Sequence, residues 1–93
     1  MSSEKPISKN EQQVFDCLAQ LIKIIGAESP IKIEFGEPRT HIADRTINVF
    51  VESGDERGMI IGKRGQNINA INTILKAVAK RYGVVFGVIQ IMD

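Results

Sequence analysis

Residues 60–68 read Ile-Ile-Gly-Lys-Arg-Gly-Gln-Asn-Ile. Two glycines, Gly62 and Gly65, bracket two adjacent cations, Lys63 and Arg64. Glycine lets the backbone turn sharply and lets another backbone come close. The turn therefore carries two positive charges at its tip. Gln66 and Asn67 open the helix that follows, where backbone N–H groups and the helix dipole favour an anion. Such a turn is shaped to hold a sugar-phosphate backbone. A tight corner between two helices, with a glycine cap and two solvated cations, is the competing account. That account gives no reason for adjacent cations at the tip, or for isoleucines at 60, 61 and 68 on both sides.

Other chemistry fits the residues poorly. Gly58 to Lys63 has three residues between its glycines, and Arg64 follows the lysine. A phosphate loop of the nucleotide-hydrolase kind needs four, then Ser or Thr. The single histidine, His41, has only Asp44 nearby, and the single cysteine, Cys17, borders the apolar side of a helix. Neither belongs to a metal-ligand set, and a buried structural thiol is the expected role of Cys17. Asp55 and Glu56 read as helix N-terminal charges, not a catalytic pair. No catalytic residue, metal or cofactor is expected.

The elements that position the turn follow from periodicity and caps. Ser8 with Glu11 has capping-box spacing. Val14, Leu18, Leu21, Ile22 and Ile25 then recur at helical spacing, and Gly26 supplies a stop, predicting a helix over 9–25. Ile31, Ile33 and Phe35 alternate with Lys32 and Glu34 in a first strand. Residues 36–45, with Pro38, read as a loop. Ile47, Val49 and Val51 alternate in a second strand. Ser53 and Glu56 form a second capping-box spacing, opening a short helix through Ile61. After the turn, Ile68, Ile71, Ile74, Leu75, Val78, Ala79 and Tyr82 make the apolar stripe of a long helix. Gly83 ends it, and Val84 to Met92 predicts a last strand. Residues 1–8 read as a flexible arm and 9–93 as one domain, α-β-β-α-α-β, with the helices on one face of a three-stranded sheet.

The 93 residues carry a net charge of +1, so any attraction to nucleic acid must come from a local patch. Apolar runs are too short to span a bilayer. Met1 to Lys9 is polar, so no signal peptide is expected. A reducing cytoplasm is the expected compartment.

Ile61 to Ile68 matches the Ile-Gly-x-x-Gly-x-x-Ile core of KH domains, and a helix and two strands before it resemble the type II KH arrangement. In size the chain is similar to the small stand-alone KH proteins of bacteria, the KhpA type, and also to the KH portion of the Jag (KhpB) family. The resemblance covers about residues 10–93. It implies single-stranded RNA binding without catalysis, as a chaperone or adaptor. Gly62 and Gly65 would admit the nucleic-acid backbone, and Lys63 and Arg64 would contact phosphates. Ile60, Ile61 and Ile68 would build the floor and packing of a groove for about four nucleotides. Arg57, Gln66 and Asn69 border that groove. Lys76, Lys80 and Arg81 lie farther along the helix and are expected to be mainly solvated. The alternatives are a KH-fold protein–protein interaction module and a single-stranded DNA binder using the same groove.

The last strand is apolar on both sides. Val85, Ile89 and Ile91 are expected under the helices, leaving Val84, Phe86 and Val88, with Phe50, on an open sheet face. Such a patch often marks an interaction surface; the alternative is that the N-terminal arm or the 36–45 loop folds over it. The resemblance suggests its occupant, a second copy in a homodimer or a larger Jag-type KH protein.

Overall fold

This computed structural model describes residues 7–37 and 44–93. The element order is α1 (Lys9–Ile25), β1 (Ile31–Phe35), β2 (Ile47–Val51), α2 (Gly54–Ile61), a 3-10 turn (Lys63–Gly65), α3 (Gln66–Tyr82) and β3 (Ile89–Met92). This is the α+β arrangement expected. Of the predicted arm, residues 1–6 lie outside the described residues, whereas Ile7 packs against the core and Ser8 caps α1.

The strands lie in the order β1-β2-β3. β1 pairs antiparallel to β2, with Ile33 opposite Val49, and β2 pairs parallel to β3, with Val49 opposite Ile91. Side chains alternate across a strand, so this register gathers Ile31, Ile33, Phe35, Ile47, Val49, Val51, Ile89 and Ile91 on one face. The helices cover that face with Val14, Leu18 and Ile22 of α1, Ile60 of α2, and Ile71, Leu75 and Ala79 of α3. Each fully buried Leu or Ile side chain there contributes about 2 kcal/mol. The other face carries Lys32, Glu34, Asn48, Phe50, Gln90 and Met92 by the same register.

The C-terminal stretch corrects the sequence expectation. β3 starts at Ile89, not Val84. Gly83 closes α3 in the left-handed region, and the Val84 N–H folds back to the Ala79 carbonyl, 2.9 Å away. That turn sends Val84 inward. Phe86 is 2 % exposed, while Val85 and Val88 face out. A side chain from α3 holds this connector: Lys76 Nζ donates to the Phe86 carbonyl, and its charge lies 4.4 Å from the Phe86 ring centre. Asn72 adds a second tie, its Oδ1 accepting from the Ile89 N–H at 3.2 Å. The anticipated patch of Val84, Phe86 and Val88 beside Phe50 is therefore not formed.

The two Ser-x-x-Glu spacings resolve differently. Ser8 and Glu11 make a full capping box, with the Ser8 N–H donating to Glu11 Oε1 at 2.8 Å and the Glu11 N–H to Ser8 Oγ at 3.1 Å. Glu11 Oε2 also accepts from Arg45 at 3.1 Å, and Arg45 lies over the Phe35 ring at 3.7 Å. At the second box, Ser53 Oγ accepts from the Glu56 N–H. The Glu56 carboxylate, however, reaches the turn before β1, accepting from the Ser29 N–H at 3.1 Å and the Glu28 N–H at 3.2 Å.

Candidate nucleic-acid interface

The corner between α2 and α3 is built from backbone that only some residues tolerate. Gly62 completes the last turn of α2, its N–H donating to the Gly58 carbonyl at 2.8 Å. It then takes φ 76°, and Gly65 takes φ 75°. The Gly65 N–H donates to the Gly62 carbonyl at 3.1 Å, which closes the turn. The two glycines answer different demands. A Cβ on Gly62 would sit 2.7 Å from the Asn67 Cγ, whereas one on Gly65 would meet nothing closer than 3.8 Å. Position 62 thus needs glycine for space and conformation, and position 65 for conformation.

Arg64 also sits in the left-handed region, at φ 58° and ψ 26°, and is the one such non-glycine among the described residues. An arginine there costs on the order of 1 kcal/mol. Lys63 and Arg64 are both exposed. Among the described residues, neither side chain makes a hydrogen bond or ion pair.

The other predicted residues divide. Ile61 is 37 % exposed beside the loop, while Ile60 is fully buried and Ile68 packs partly against the core. The isoleucine pair thus splits between surface and support, and Met59, equally exposed, joins Ile61. Gln66 and Asn69 are exposed at the start of α3, and the Asn69 Nδ2 lies 3.8 Å from the Cβ position of Gly65. Gly65 offers no side-chain cap, so α3 begins without one. The Gln66 N–H reaches back to the Lys63 carbonyl.

Arg57 is not brought to the loop. Its guanidinium donates to the Glu52 carbonyl at 2.9 Å and to the Val51 carbonyl, which lie before the start of α2. The loop is at the other end of that helix. Lys76 is likewise engaged with Phe86. His41 and most of the 36–45 loop lie outside the described residues.

Two features escaped the sequence reading. Asn67 donates from Nδ2 to the Met59 carbonyl at 2.8 Å and so spans the corner. Nothing in the sequence marks which helix-start amide reaches back. The second was available: from Arg57 to Met92 the chain holds Arg57, Lys63, Arg64, Lys76, Lys80 and Arg81 and no carboxylate. Near-neutral net charge conceals this segregation. Two carboxyls, Glu11 and Glu56, are shifted, and both are engaged away from the loop. Glu56 is held below the usual carboxylate range by the backbone N–H groups of Ser29 and then Glu28. Glu11 is lowered first by the Ser8 N–H and also by Arg45.

No helix among the described residues is long and apolar enough to cross a membrane, and they hold no cluster of His, Cys, Asp or Glu suited to a metal. Searches of curated proteins and of solved structures return no match. A family model does match: that of the KhpA/KhpB KH domain, over residues 16–89, spanning α1 from Asp16 through the loop to the first residue of β3. With the fold, the bent α2–α3 pair and the Gly62–Gly65 corner all falling within that match, the chain belongs to the KhpA/KhpB KH-domain family.

Proposed function

We propose that this protein binds single-stranded RNA at the α2–α3 corner and acts as an RNA chaperone or adaptor, without catalysis. KH domains are nucleic-acid-binding modules that clamp about four nucleotides at such a loop. The observation that carries the reading is the loop itself: Lys63 and Arg64 exposed and, among the described residues, unpaired, between two glycines in the left-handed region. In this reading their side chains contact phosphates. Gly62 and Gly65 let the backbone pass, Ile61 supplies apolar floor, and Gln66 and Asn69 offer amides to base edges. The cytoplasm is the proposed site of action. A homodimer or a complex with a larger Jag-type KH protein belongs to the same proposal, on the strength of the family alone, because Phe86 is buried.

The test is a titration against short RNA and DNA homopolymers, single-stranded and duplex, at two salt concentrations. Saturable binding to single-stranded RNA, weaker at high salt, is the expected result. Tighter binding to single-stranded DNA would move the reading to the DNA alternative. Failure to bind either nucleic acid would favour a protein-interaction role for the fold.

A further inference from the structure

The corner raises a question of mechanics: what holds Arg64 in a backbone conformation that arginine disfavours? α2 stops at Ile61, so the Met59 carbonyl faces the helix end without an intrahelical donor. Asn67, eight residues on, supplies one from its side chain at 2.8 Å. The same side chain fills the space beside Gly62, with its Cγ 2.7 Å and its Cβ 2.9 Å from where a Cβ on that glycine would lie. Asn67 thus ties the end of α2 to the start of α3 and packs against the first residue of the loop. The strained residue, Arg64 at φ 58°, lies between these two anchor points. Strained backbone persists where its surroundings over-determine it.

We propose that Asn67 is a positioning residue of the clamp, which locks the loop into the one backbone conformation that presents Arg64 to a phosphate. The proposal rests on the reading that the 62–65 loop binds RNA. Asn67 need not touch RNA itself, since its amide N–H is committed to Met59. Its contribution is order in the free protein, which lowers the entropy lost when the loop closes on its ligand.

The test is a double-mutant cycle, read by fluorescence anisotropy with a labelled oligouridylate. The wild type is titrated first, then Asn67→Ala, Arg64→Ala and the double variant, each checked for native fold by its amide NMR spectrum. Asn67→Ser, which keeps a small polar group at the helix start, replaces Asn67→Ala if that variant does not fold. Loss of one ordering hydrogen bond should weaken binding roughly tenfold in the wild-type background. With Arg64 already removed, the same change should weaken it less than about twofold, because residues that act together are non-additive. The loop amides of the Asn67 variant should also show lower order parameters. Equal losses in both backgrounds would mean that Asn67 contacts RNA directly, and would overturn the proposal. So would unchanged affinity in a folded Asn67 variant, if Arg64→Ala still weakens binding; the RNA reading would then stand without the latch. A wild type that binds no oligouridylate while binding no other single strand removes the RNA reading, and the positioning role with it.

Discussion

Two sets of cations sit on the α2–α3 half of this molecule, and they behave oppositely. Lys63 and Arg64, at the corner, have no partner among the described residues. Arg57 and Lys76, on the helices either side, are each clasped to backbone carbonyls, at Val51 and Glu52 and at Phe86. All four belong to the same stretch without carboxylates. The difference is one of supply. At the ends of β2 and in the connector before β3, carbonyls lack ladder donors, and a long cation nearby satisfies them. Among the described residues neither Lys63 nor Arg64 is bonded to such an acceptor, and both are exposed. Charge in a sequence therefore marks a candidate surface, but free carbonyls decide which charges remain available to a ligand.

The sharpest way to break this comparison is to reverse the corner charges. Lys63→Asp with Arg64→Asp should weaken RNA binding by at least about a hundredfold, since two charge-assisted contacts are lost. The exposed site should leave the circular dichroism and melting curve close to wild type. Unchanged affinity in that folded variant would remove the corner from the interface.

The clasped cations should show the reverse pattern. Arg57→Met and Lys76→Met keep the apolar stems and remove the donors. Each should destabilise the fold by about 1–2 kcal/mol in urea titrations, with RNA affinity altered less than about threefold. If Arg57→Met instead abolishes binding at unchanged stability, its guanidinium leaves the carbonyls to meet RNA, and the distinction between the two sets fails.

Salt sharpens the count. Two phosphate contacts on a single strand predict a slope of about −1.4 in log affinity against log salt. A slope near −3 would bring in further cations, of which Lys80 and Arg81 are the exposed candidates.

The smallest expected effect lies away from the corner, at the two carboxyls. Glu11 and Glu56 both have folded pKa values held below the usual carboxylate range, first by the backbone N–H groups they accept from. A group lowered in the folded state stabilises it above its unfolded value and loses that contribution as pH falls through the folded value. The melting temperature should therefore be flat above about pH 5 and decline below about pH 4. Glu56→Gln should flatten part of that decline. An acid limb identical in Glu56→Gln and wild type would show that the Ser29 and Glu28 contacts contribute nothing in solution.

The bent helix pair, the strand order along the chain and the capped start of α1 were all legible beforehand, because each rests on local chemistry. Glycines at 62, 65 and 83 permit positive φ, Ser8 and Glu11 cap at fixed spacing, and alternation of Ile47, Val49 and Val51 selects a face. The loop cations could be named for the same reason, since their meaning comes from four consecutive residues. What only the tertiary structure decided concerns reach. Glu56 had its capping partner three residues away, yet bonds to the turn before β1 because packing brings those N–H groups closer. Phe86 alternates with Val85 in a stretch that reads as strand, yet it is buried in a connector that Lys76 of α3 holds by the Phe86 carbonyl. Asn67 looks like any helix-start amide until the corner places an orphan carbonyl in front of it. Backbone conformation follows from near neighbours in the chain, whereas the partner of a long side chain is set by whichever unsatisfied group the fold delivers.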